Sequence, residues 1–281
     1  MLVVRDLAAL RDAVREFRDE GMRVALVPTM GALHRGHVAL VEAAKRPGTR
    51  VVASIFVNPR QFGPNEDLSR YPRREMADLK MLEEAGCDLA WLPTEEVMYP
   101  DGFATNVSVS GISAGLEGGP RPTHFDGVAT VVSKLFHQVT PDSAYFGEKD
   151  YQQLQVIRRM VADMNHAIEI VGVPTQRDDD GLALSSRNIY LDDAERQKAV
   201  ALPRALGVAA RAITRGDDPA AAVAEAEATL AGAGFVVDYV ALVDADSLAL
   251  DPAPGRPRRL LAAARMGATR LIDNIAVEDA G

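Results

Sequence analysis

Residues 28–37 read Pro-Thr-Met-Gly-Ala-Leu-His-Arg-Gly-His, and they decide how the rest of the chain is interpreted. An apolar run at 24–27 precedes this stretch, and a helical pattern at 38–44 follows it. The order predicts a strand, a turn that contains glycine, and a helix. The N-terminus of a helix carries unpaired N–H groups and a partial positive charge, so it attracts anions.

Two histidines, His34 and His37, lie three residues apart where this helix should begin. Residues at that spacing share a helix face, so both rings can contact one ligand. Gly31 and Gly36 have no side chain and allow the backbone to approach a bulky group. The stretch therefore predicts a phosphate site. The alternative is that each histidine is a helix cap or a surface residue, and the paired spacing favours the site.

The composition is typical of a globular protein. The chain has 281 residues, of which 47% are hydrophobic and 25% charged, so one large domain or two medium ones are expected. The formal net charge of −9 repels polyanions, so we expect no nucleic-acid partner. No apolar run approaches the ~20 residues that span a bilayer, so we expect no membrane partner.

The single cysteine, Cys87, excludes disulfides within the chain and a zinc site rich in cysteine. We interpret it as a small, partly buried hydrophobe before a strand. Residues 1–17 carry charges every few positions, so they do not resemble a signal peptide. We therefore expect a cytoplasmic protein.

The first part of the chain alternates strands and helices, the pattern of a parallel sheet with right-handed crossovers. Residues 93–125 interrupt the alternation with several prolines, and we interpret them as an insertion with a short antiparallel strand at 105–110. The expected helices are 6–19, 38–44, 74–85, 126–138 and 150–164, and the expected strands are 23–27, 50–57, 88–92, 143–146 and 168–173.

The second part has a different pattern. A polar loop at 177–188 precedes a long alanine-rich helix at 192–215, and Pro219 suits the first turn of the next helix. Two or three strands follow, at 235–243, 260–265 and 270–275. The predicted fold class is therefore α/β. Residues 1–173 form a doubly wound, mostly parallel, Rossmann-like sheet, and residues 174–281 form a smaller C-terminal α+β domain.

Several well-known motifs are missing. The chain contains no Gly-x-x-x-x-Gly-Lys-Ser/Thr loop and no Gly-x-Gly-x-x-Gly after the strand at 23–27. It also lacks His-Glu-x-x-His and Gly-x-Ser-x-Gly. Any phosphate site must therefore be built from the turn that carries the histidines.

A second cluster, Gly147, Glu148, Lys149 and Asp150, follows a predicted strand and opens a helix. Ligands of open α/β sheets bind at such strand ends. Lys149 offers a positive charge to phosphate, and Asp150 offers a carboxylate to Mg²⁺. The alternative is that Asp150 caps the helix and Lys149 is merely solvated.

A third cluster, Leu184, Ser185, Ser186 and Arg187, follows the acidic loop 178–181. Its hydroxyls and its guanidinium suit a triphosphate, because arginine binds two phosphate oxygens at once. We interpret the acids of the loop as a solvated loop, and the alternative is a metal site.

Neutral amides form a fourth group: Asn58, Gln61 and Gln153, accompanied by Tyr71 and His124. Amides orient a polar substrate without adding charge. Taken singly, each glutamine is better explained as an ordinary surface residue.

The pattern His-x-Gly-His resembles the signature of the nucleotidyltransferase superfamily, which includes the class I aminoacyl-tRNA synthetases. The wider set of motifs resembles the pantoate–β-alanine ligases (pantothenate synthetases) over residues 24–192, and weakly at 270–274. The motifs are Pro-Thr-Met-Gly-Ala-Leu-His-x-Gly-His (28–37), Phe-Val-Asn-Pro-x-Gln-Phe (56–62), Tyr-Pro-Arg (71–73), Arg-Pro-x-His-Phe-x-Gly-Val (121–128), Phe-Gly-Glu-Lys-Asp-Tyr-Gln-Gln (146–153) and Asp-Gly-Leu-Ala-Leu-Ser-Ser-Arg-Asn (180–188).

This resemblance implies a two-step ligation, in which the pantoate carboxylate attacks the α-phosphorus of ATP and the β-alanine amine then displaces AMP. It implies catalytic roles for His34, His37, Lys149, Ser185, Ser186 and Arg187, with His37 as the proton donor. Asp150 would lie near Mg²⁺, Gln61 would bind pantoate and β-alanine, and Gln153 would bind pantoate. The ATP contacts implied are Met30, Gly31, Ala32, Leu33, His34, Arg35, Gly36, His37, Gly147, Glu148, Lys149, Asp150, Gln176, Leu184, Ser185, Ser186 and Arg187.

Two positions depart from the family pattern. Gln176 stands where the family usually has valine or methionine, so a contact to adenine would come from its main chain. Arg60 stands where the family is commonly apolar. The resemblance also implies a homodimer through the first domain. An acyl adenylate hydrolyses readily, so we expect the second domain to act as a lid that excludes water.

Two competing hypotheses stay open at this point. One is another adenylate-forming or nucleotidyl-transferring enzyme of the same superfamily. The other is a catalytically silent nucleotide-binding protein, which the intact set of histidines, lysine, serines and arginine disfavours.

Overall fold

The computed structural model describes residues 1–64, 66, 68–250 and 252–278. The chain forms two compact units. The first unit comprises Met1–Glu148 and Val156–Pro174, and the second unit comprises Lys149–Gln155 and Thr175–Gly281. The predicted boundary between residues 173 and 174 stays a proposal.

The first unit is built on a sheet of six parallel strands in the order β1-β4-β3-β2-β5-β6. Its central strands contain continuous apolar runs, because helices cover both faces of such a sheet. Residues 24–27 of β2 are accordingly fully buried. The strands are β1 Leu2–Val4, β2 Arg23–Thr29, β3 Thr49–Ile55, β4 Leu89–Trp91, β5 Ser143–Gly147 and β6 Glu169–Val173.

Apart from the short α4, the helices along this part of the chain match those expected from the apolar periodicity of the sequence. The first is capped by Asp6, whose carboxylate accepts the Ala9 N–H at 2.9 Å. The helices are α1 Leu7–Asp19, α2 Arg35–Ala44, α3 Glu75–Glu84, α4 Glu95–Met98, α5 His124–Val139 and α6 Tyr151–Asp163.

The sheet reverses its winding between β2 and β5. After β2 the chain continues to β3 and β4 on one side, and it then returns to β5 on the other side of β2. Parallel strands end at the same edge, so the turn at 30–34 and the end of β5 at Gly147 flank this reversal. Ligands of open α/β sheets bind at such a point. The predicted α/β fold class is therefore confirmed, with all six strands parallel.

The expected antiparallel strand at 105–110 is wrong. The segment lies against α5, where Thr130 Oγ1 accepts the Val107 N–H at 2.9 Å, and Val109 is buried. Asn106 bonds to the side chains of Ser108 and Asp126. The alternating pattern therefore reflects alternating burial on a helix, with a side-chain hydroxyl in place of a neighbouring strand.

The second unit pairs three helices with an antiparallel sheet in the order β7-β8-β9. One face of the sheet, which includes Leu260, Ala262 and Leu271, packs in the same core as Leu202, Leu206 and Ile213 of α8. The elements are α7 Asp193–Ala199, α8 Ala201–Thr214, α9 Pro219–Gly232, β7 Val236–Asp244, β8 Arg258–Met266 and β9 Thr269–Val277.

The single long helix expected at 192–215 is also wrong, because the chain forms α7 and α8 with a break at Val200. Pro203 explains the break. Its nitrogen has no hydrogen to donate to the Ala199 carbonyl, and its ring clashes with a carbonyl four residues earlier. A new helix that begins at Ala201 places Pro203 in its first turn, where that N–H is not needed.

Within the described residues, none of the helices is long and apolar enough to cross a bilayer.

Candidate active site

The turn after β2 is shaped by left-handed backbone and by one buried carboxylate. Gly31 and Ala32 have φ values of 83° and 50°. Asp78, on α3 and 3% exposed, accepts the N–H groups of Ala32 and Leu33 at 2.9 and 2.8 Å. A Cβ at Gly31 would lie 3.1 Å from the Asp78 carboxylate and 3.2 Å from Ile55. The turn therefore requires glycine at 31 and an acceptor at 78.

Sequence reasoning missed Asp78. It lies in the helical stretch 74–85, where an aspartate looks like any solvated residue. Only the fold brings it to a turn that precedes it by 46 residues. The sequence held no local signal that could have identified it.

His34 and His37 form a reciprocal cap at the start of α2. His34 Nδ1 accepts the Gly36 N–H at 3.1 Å, and His37 Nδ1 accepts the His34 N–H at 3.3 Å. The two ring centroids are 4.2 Å apart. A main-chain N–H can only donate, so each Nδ1 is an acceptor and each neutral ring carries its hydrogen on Nε2. The rings thus serve as caps and present two Nε2–H donors as well.

The turn after β3 brings a second candidate residue to the first turn. Gln61 donates its amide to Met30 Sδ at 3.1 Å and accepts from Asn58 Nδ2 at 3.0 Å. Asn58 is 1% exposed, and it also donates to the Gly127 carbonyl at 3.1 Å and accepts from the Tyr99 hydroxyl at 2.7 Å. A Cβ at Gly127 would collide with the Arg60 carbonyl, so only glycine allows α5 to pack here. Asn58 is therefore a buried anchor for Gln61.

Arg60 has a packing role that the sequence did not reveal. Its guanidinium lies over the rings of Tyr99 and Phe103, 5.4 and 5.2 Å from their centroids, and donates to Asn106 at 3.2 Å. This is a cation–π arrangement. An arginine is therefore tolerated at this apolar surface, because its guanidinium packs on two aromatic rings.

His124 and Tyr71 support the main chain around Gln61. His124 Nδ1 lies 2.8 Å from the Gln61 carbonyl oxygen. Tyr71 is buried, and its ring meets the edge of Phe62 at 5.8 Å between centroids. His124 therefore contacts the main chain at Gln61, whereas Tyr71 acts through the side chain of the next residue, Phe62.

In the second unit, Lys149 and Asp150 are neighbours on a short 3₁₀ turn. Lys149 Nζ lies 3.8 Å from Asp150 Oδ2, and the two side chains are 20% and 50% exposed. Gln153, one turn later, is half-buried. No group of three or more potential metal ligands occurs among the described residues. One carboxylate is what a Mg²⁺ ion uses when phosphates and water fill the rest of its shell, so Asp150 fits that role.

The segment 176–184 folds back on itself. Leu184 donates its N–H to the Gln176 carbonyl at 2.9 Å, and Arg177 forms a β-bridge with Ala183. Arg177 also makes a two-point ion pair with buried Asp273 at 2.7 and 2.8 Å and donates to the Gly181 carbonyl at 3.1 Å. The base of this hairpin is therefore fixed to β9. The main-chain carbonyl of Gln176 closes this hairpin.

The serine–arginine cluster starts the next 3₁₀ helix, Ser186–Tyr190. Ser185 Oγ caps it by accepting the Arg187 N–H at 3.2 Å. Asn188 donates to the Ala183 carbonyl at 3.1 Å. Ser185, Ser186 and Arg187 are thus placed together directly after the hairpin.

The acids before this cluster are accessible to solvent, and an arginine pairs with two of them. Arg196 binds Asp178 at 3.0 Å and Asp180 at 2.7 Å. Its hydrogen bond holds the pKa of Asp180 below the ordinary value. The loop is therefore exposed, as interpreted from the sequence, and Arg196 of α7 also pairs with two of its carboxylates.

Cys87 is buried, as interpreted from the sequence. Burial raises the pKa of its thiol to about 11. The thiol is therefore not a nucleophile at neutral pH.

The first unit thus joins residues 30–37 with Gln61 at one edge of a doubly wound sheet, and the second unit holds residues 149–153, 176 and 184–187. A comparison with known families matches residues 2–276 to the pantoate-beta-alanine ligases. The chain belongs to this family. The resemblance read from the motifs is confirmed, and the family is one of ligases.

Individual members of the family are similar along their whole length. The pantothenate synthetase of Rhizorhabdus wittichii is 65% identical over 282 residues, which cover 100% of both chains. A crystal structure of pantothenate synthetase from Thermus thermophilus is 50% identical, with a TM-score of 0.93 and 99% of each chain covered.

A third relative was solved with ligands. It is the pantoate-beta-alanine ligase of Francisella tularensis, complexed with beta-gamma ATP and beta-alanine. It is 32% identical, has a TM-score of 0.82, and is matched over 98% of this chain and 97% of its own.

Proposed function

We propose that this chain condenses pantoate with β-alanine and consumes ATP, giving pantothenate, AMP and pyrophosphate. The observation that carries the proposal is the His-x-Gly-His turn at the reversal of a doubly wound sheet, in a chain that belongs to the pantoate–β-alanine ligase family. The Francisella tularensis relative, complexed with beta-gamma ATP and beta-alanine, supports the choice of two of the substrates.

The reaction has two steps that balance. A pantoate carboxylate oxygen attacks the α-phosphorus of ATP, and the bond to pyrophosphate breaks. The amine of β-alanine then attacks the acyl carbon, loses a proton, and displaces AMP. The first step needs no strong base because the acid is already ionised. It brings anions together, however, so positive charge and N–H donors must compensate.

The groups that we assign to offset the negative charge of the substrates are positively charged or hydrogen-bond donors. The Nε2–H groups of His34 and His37, the N-terminus of α2, Lys149 and Arg187 would bind the phosphates, and His37 would be the proton donor. Gln61 would bind pantoate and β-alanine, and Gln153 would bind pantoate. Ser185 and Ser186 would contact the nucleotide, as would the main chain around residues 30–37, 147–150, 176 and 184.

Mg²⁺ is part of the proposal. Asp150 would hold the ion together with phosphate oxygens of ATP, and the ion would supply positive charge that neutralises the triphosphate. The exposed position of the Asp150 carboxylate supports this, because the ion must arrive with the nucleotide.

The proposal is tested by a coupled assay for AMP in which ATP, pantoate or β-alanine is omitted in turn. We expect AMP to accumulate only when all three are present. AMP release with another carboxylic acid in place of pantoate would indicate a different adenylate-forming enzyme. ATP binding without any pyrophosphate release would indicate a silent nucleotide-binding protein.

We further propose that the chain acts as a homodimer in the cytoplasm. β6 ends the central sheet, and three of its five residues are apolar, which leaves an edge that a second copy could cover. The lone, buried thiol suits a reducing compartment. Light scattering on the purified chain should give the mass of two copies, and a mass of 30.2 kDa would contradict the dimer.

A further inference from the structure

The stretch Arg-Leu-Ile-Asp-Asn at 270–274 has no place in the proposed chemistry, and it lies on β9 of the second unit. Its last residue, Asn274, is only 3% exposed. A buried amide must have partners for its oxygen and its nitrogen, and these partners show what the residue holds in place.

The Asn274 amide joins two segments that are far apart in sequence. Its Nδ2 donates to the main-chain carbonyl of Lys149 at 2.9 Å, across 125 residues. Its Oδ1 accepts from Arg259 Nε on β8 at 2.6 Å. A guanidinium only donates and a carbonyl only accepts, so these two partners fix which end of the amide is which.

The same segment is attached at a second point. The Arg259 guanidinium lies 3.8 Å from the centroid of the Tyr151 ring, and the Tyr151 hydroxyl donates to the Ala245 carbonyl at 3.0 Å. Residues 149–151 are therefore attached to β8, β9 and the loop after β7. This explains why 149–155 belong to the second unit although they leave the end of β5.

We propose that Asn274 is a positioning residue for Lys149, and that Arg259 orients the Asn274 amide for this task. The inference rests on the proposed function, because it takes Lys149 to be the group that acts on the phosphates of ATP. The bond to the Lys149 carbonyl fixes the main chain from which the lysine side chain extends. A misplacement of about 1 Å at such a residue costs about a hundredfold in rate.

The test uses Asn274→Asp in the full chain. Aspartate has nearly the same shape and keeps the oxygen that faces Arg259, but it replaces the Nδ2 donor by an oxygen that repels the Lys149 carbonyl. The reading is a pyrophosphate burst with ATP and pantoate in the absence of β-alanine. Its amplitude counts active chains, and its rate constant reports adenylate formation in each of them.

We expect the rate constant to fall about tenfold to a hundredfold while the amplitude and the KM for ATP change little. A purely structural role would instead lower the amplitude and leave the rate constant unchanged. That outcome would overturn the inference, and so would a normal rate constant.

Two further variants complete the experiment. Asn165→Asp makes the same chemical change at an exposed asparagine of the first unit and should leave the burst unchanged. Arg259→Lys keeps the charge but removes the Nε donor, so it should lower the rate constant by a smaller factor. If Asn274→Asp does not fold, Arg259→Lys decides the matter, and a normal rate constant there would overturn the inference.

The experiment distinguishes a failure of the proposed function from a failure of the role of Asn274. If the unaltered chain gives no burst, the proposed function fails. If the unaltered chain gives a full burst and both variants match it, only the role of Asn274 fails.

Discussion

The two regions proposed to bind phosphate are held by contacts of very different range. At the start of α2, His34 and His37 hold each other across three residues, and Asp78 completes the turn. In the second unit, Lys149 is tied to Asn274 across 125 residues, and Arg177 is tied to Asp273 across 96. The first region is shaped partly by its own sequence and partly by Asp78, whose bond to Ala32 spans 46 residues, whereas the second depends on a strand near the end of the described chain.

The two regions differ in whether the residues proposed to bind the substrate are also the residues that stabilise the local structure. In the first region the same histidine side chains serve both purposes, because each ring caps the helix with Nδ1 and can donate a hydrogen bond to the ligand with Nε2. In the second region the proposed chemistry lies on Lys149 and Arg187, and the scaffolding lies on β9. Substitutions should therefore mix stability and rate in the first region and separate them in the second.

The largest effect is expected for Lys149→Ala. The change removes the positive charge that we propose stabilises the transition state, and the main-chain bond to Asn274 remains. We expect exchange of pyrophosphate into ATP to fall by about a thousandfold with little change in the melting temperature. Lys198→Ala, at an exposed lysine of α7, is the matched control. Near-normal exchange in Lys149→Ala would remove the lysine from the mechanism.

His37 tests whether chemistry and scaffolding are combined in one ring. Asparagine places a polar atom near Nδ1, and glutamine places one near Nε2. His37→Asn should keep the cap and the stability but lose about a hundredfold in exchange rate, whereas His37→Gln should keep more of the rate and lose about 1 kcal/mol of stability. Equal effects of the two variants on both rate and unfolding midpoint would show that the ring has a single role.

Asp78→Asn should weaken the first region through its scaffold. Asparagine can accept only at its oxygen, so one of the N–H groups of Ala32 and Leu33 would face an NH₂ group. Urea unfolding should report a loss of about 1–3 kcal/mol, with a smaller loss of exchange rate than at Lys149. Asp12→Asn, at an exposed carboxylate of α1, serves as the control. Unchanged stability in Asp78→Asn would mean that the turn at 30–34 is stable without the Asp78 carboxylate.

The smallest expected effect is on the pH dependence of stability in the second region, and it comes from Asp244. A hydrogen bond from Arg256, followed by the Ser247 N–H, holds the pKa of Asp244 well below its ordinary value. Its neighbour Ala245 accepts from Tyr151, so this loop supports the segment of Lys149. A depressed pKa stabilises the fold above the unfolded value of about 3.9, and the contribution disappears as the pH falls toward the folded value.

The corresponding measurement compares Asp244→Asn with the unaltered chain in urea at several pH values. The unaltered chain should be more stable at about pH 7, and the difference should shrink below about pH 4 as Asp244 takes up a proton in the unfolded chain. A difference that stays constant down to about pH 2 would show that the charge of Asp244 is not what stabilises the loop.

The same contrast in range explains what the sequence could predict. Periodicity identified most helices and strands, and the spacing of His34 and His37 identified their proximity, because these signals are local. Pro203 ended a helix that alanine-rich periodicity had extended, and a hydroxyl on α5 replaced the strand expected at 105–110. Asp78 and Asn274 act through partners that only the fold brings near, so the sequence pattern around each residue could not predict its role.

The most direct test of the central claim follows an oxygen atom. If the acid is activated as an adenylate, an oxygen of the pantoate carboxylate must leave with AMP. Turnover of pantoate labelled with oxygen-18 in its carboxylate, followed by mass spectrometry of the AMP, should find one labelled oxygen in the AMP phosphate. Unlabelled AMP, with the label in pyrophosphate or inorganic phosphate, would contradict the account.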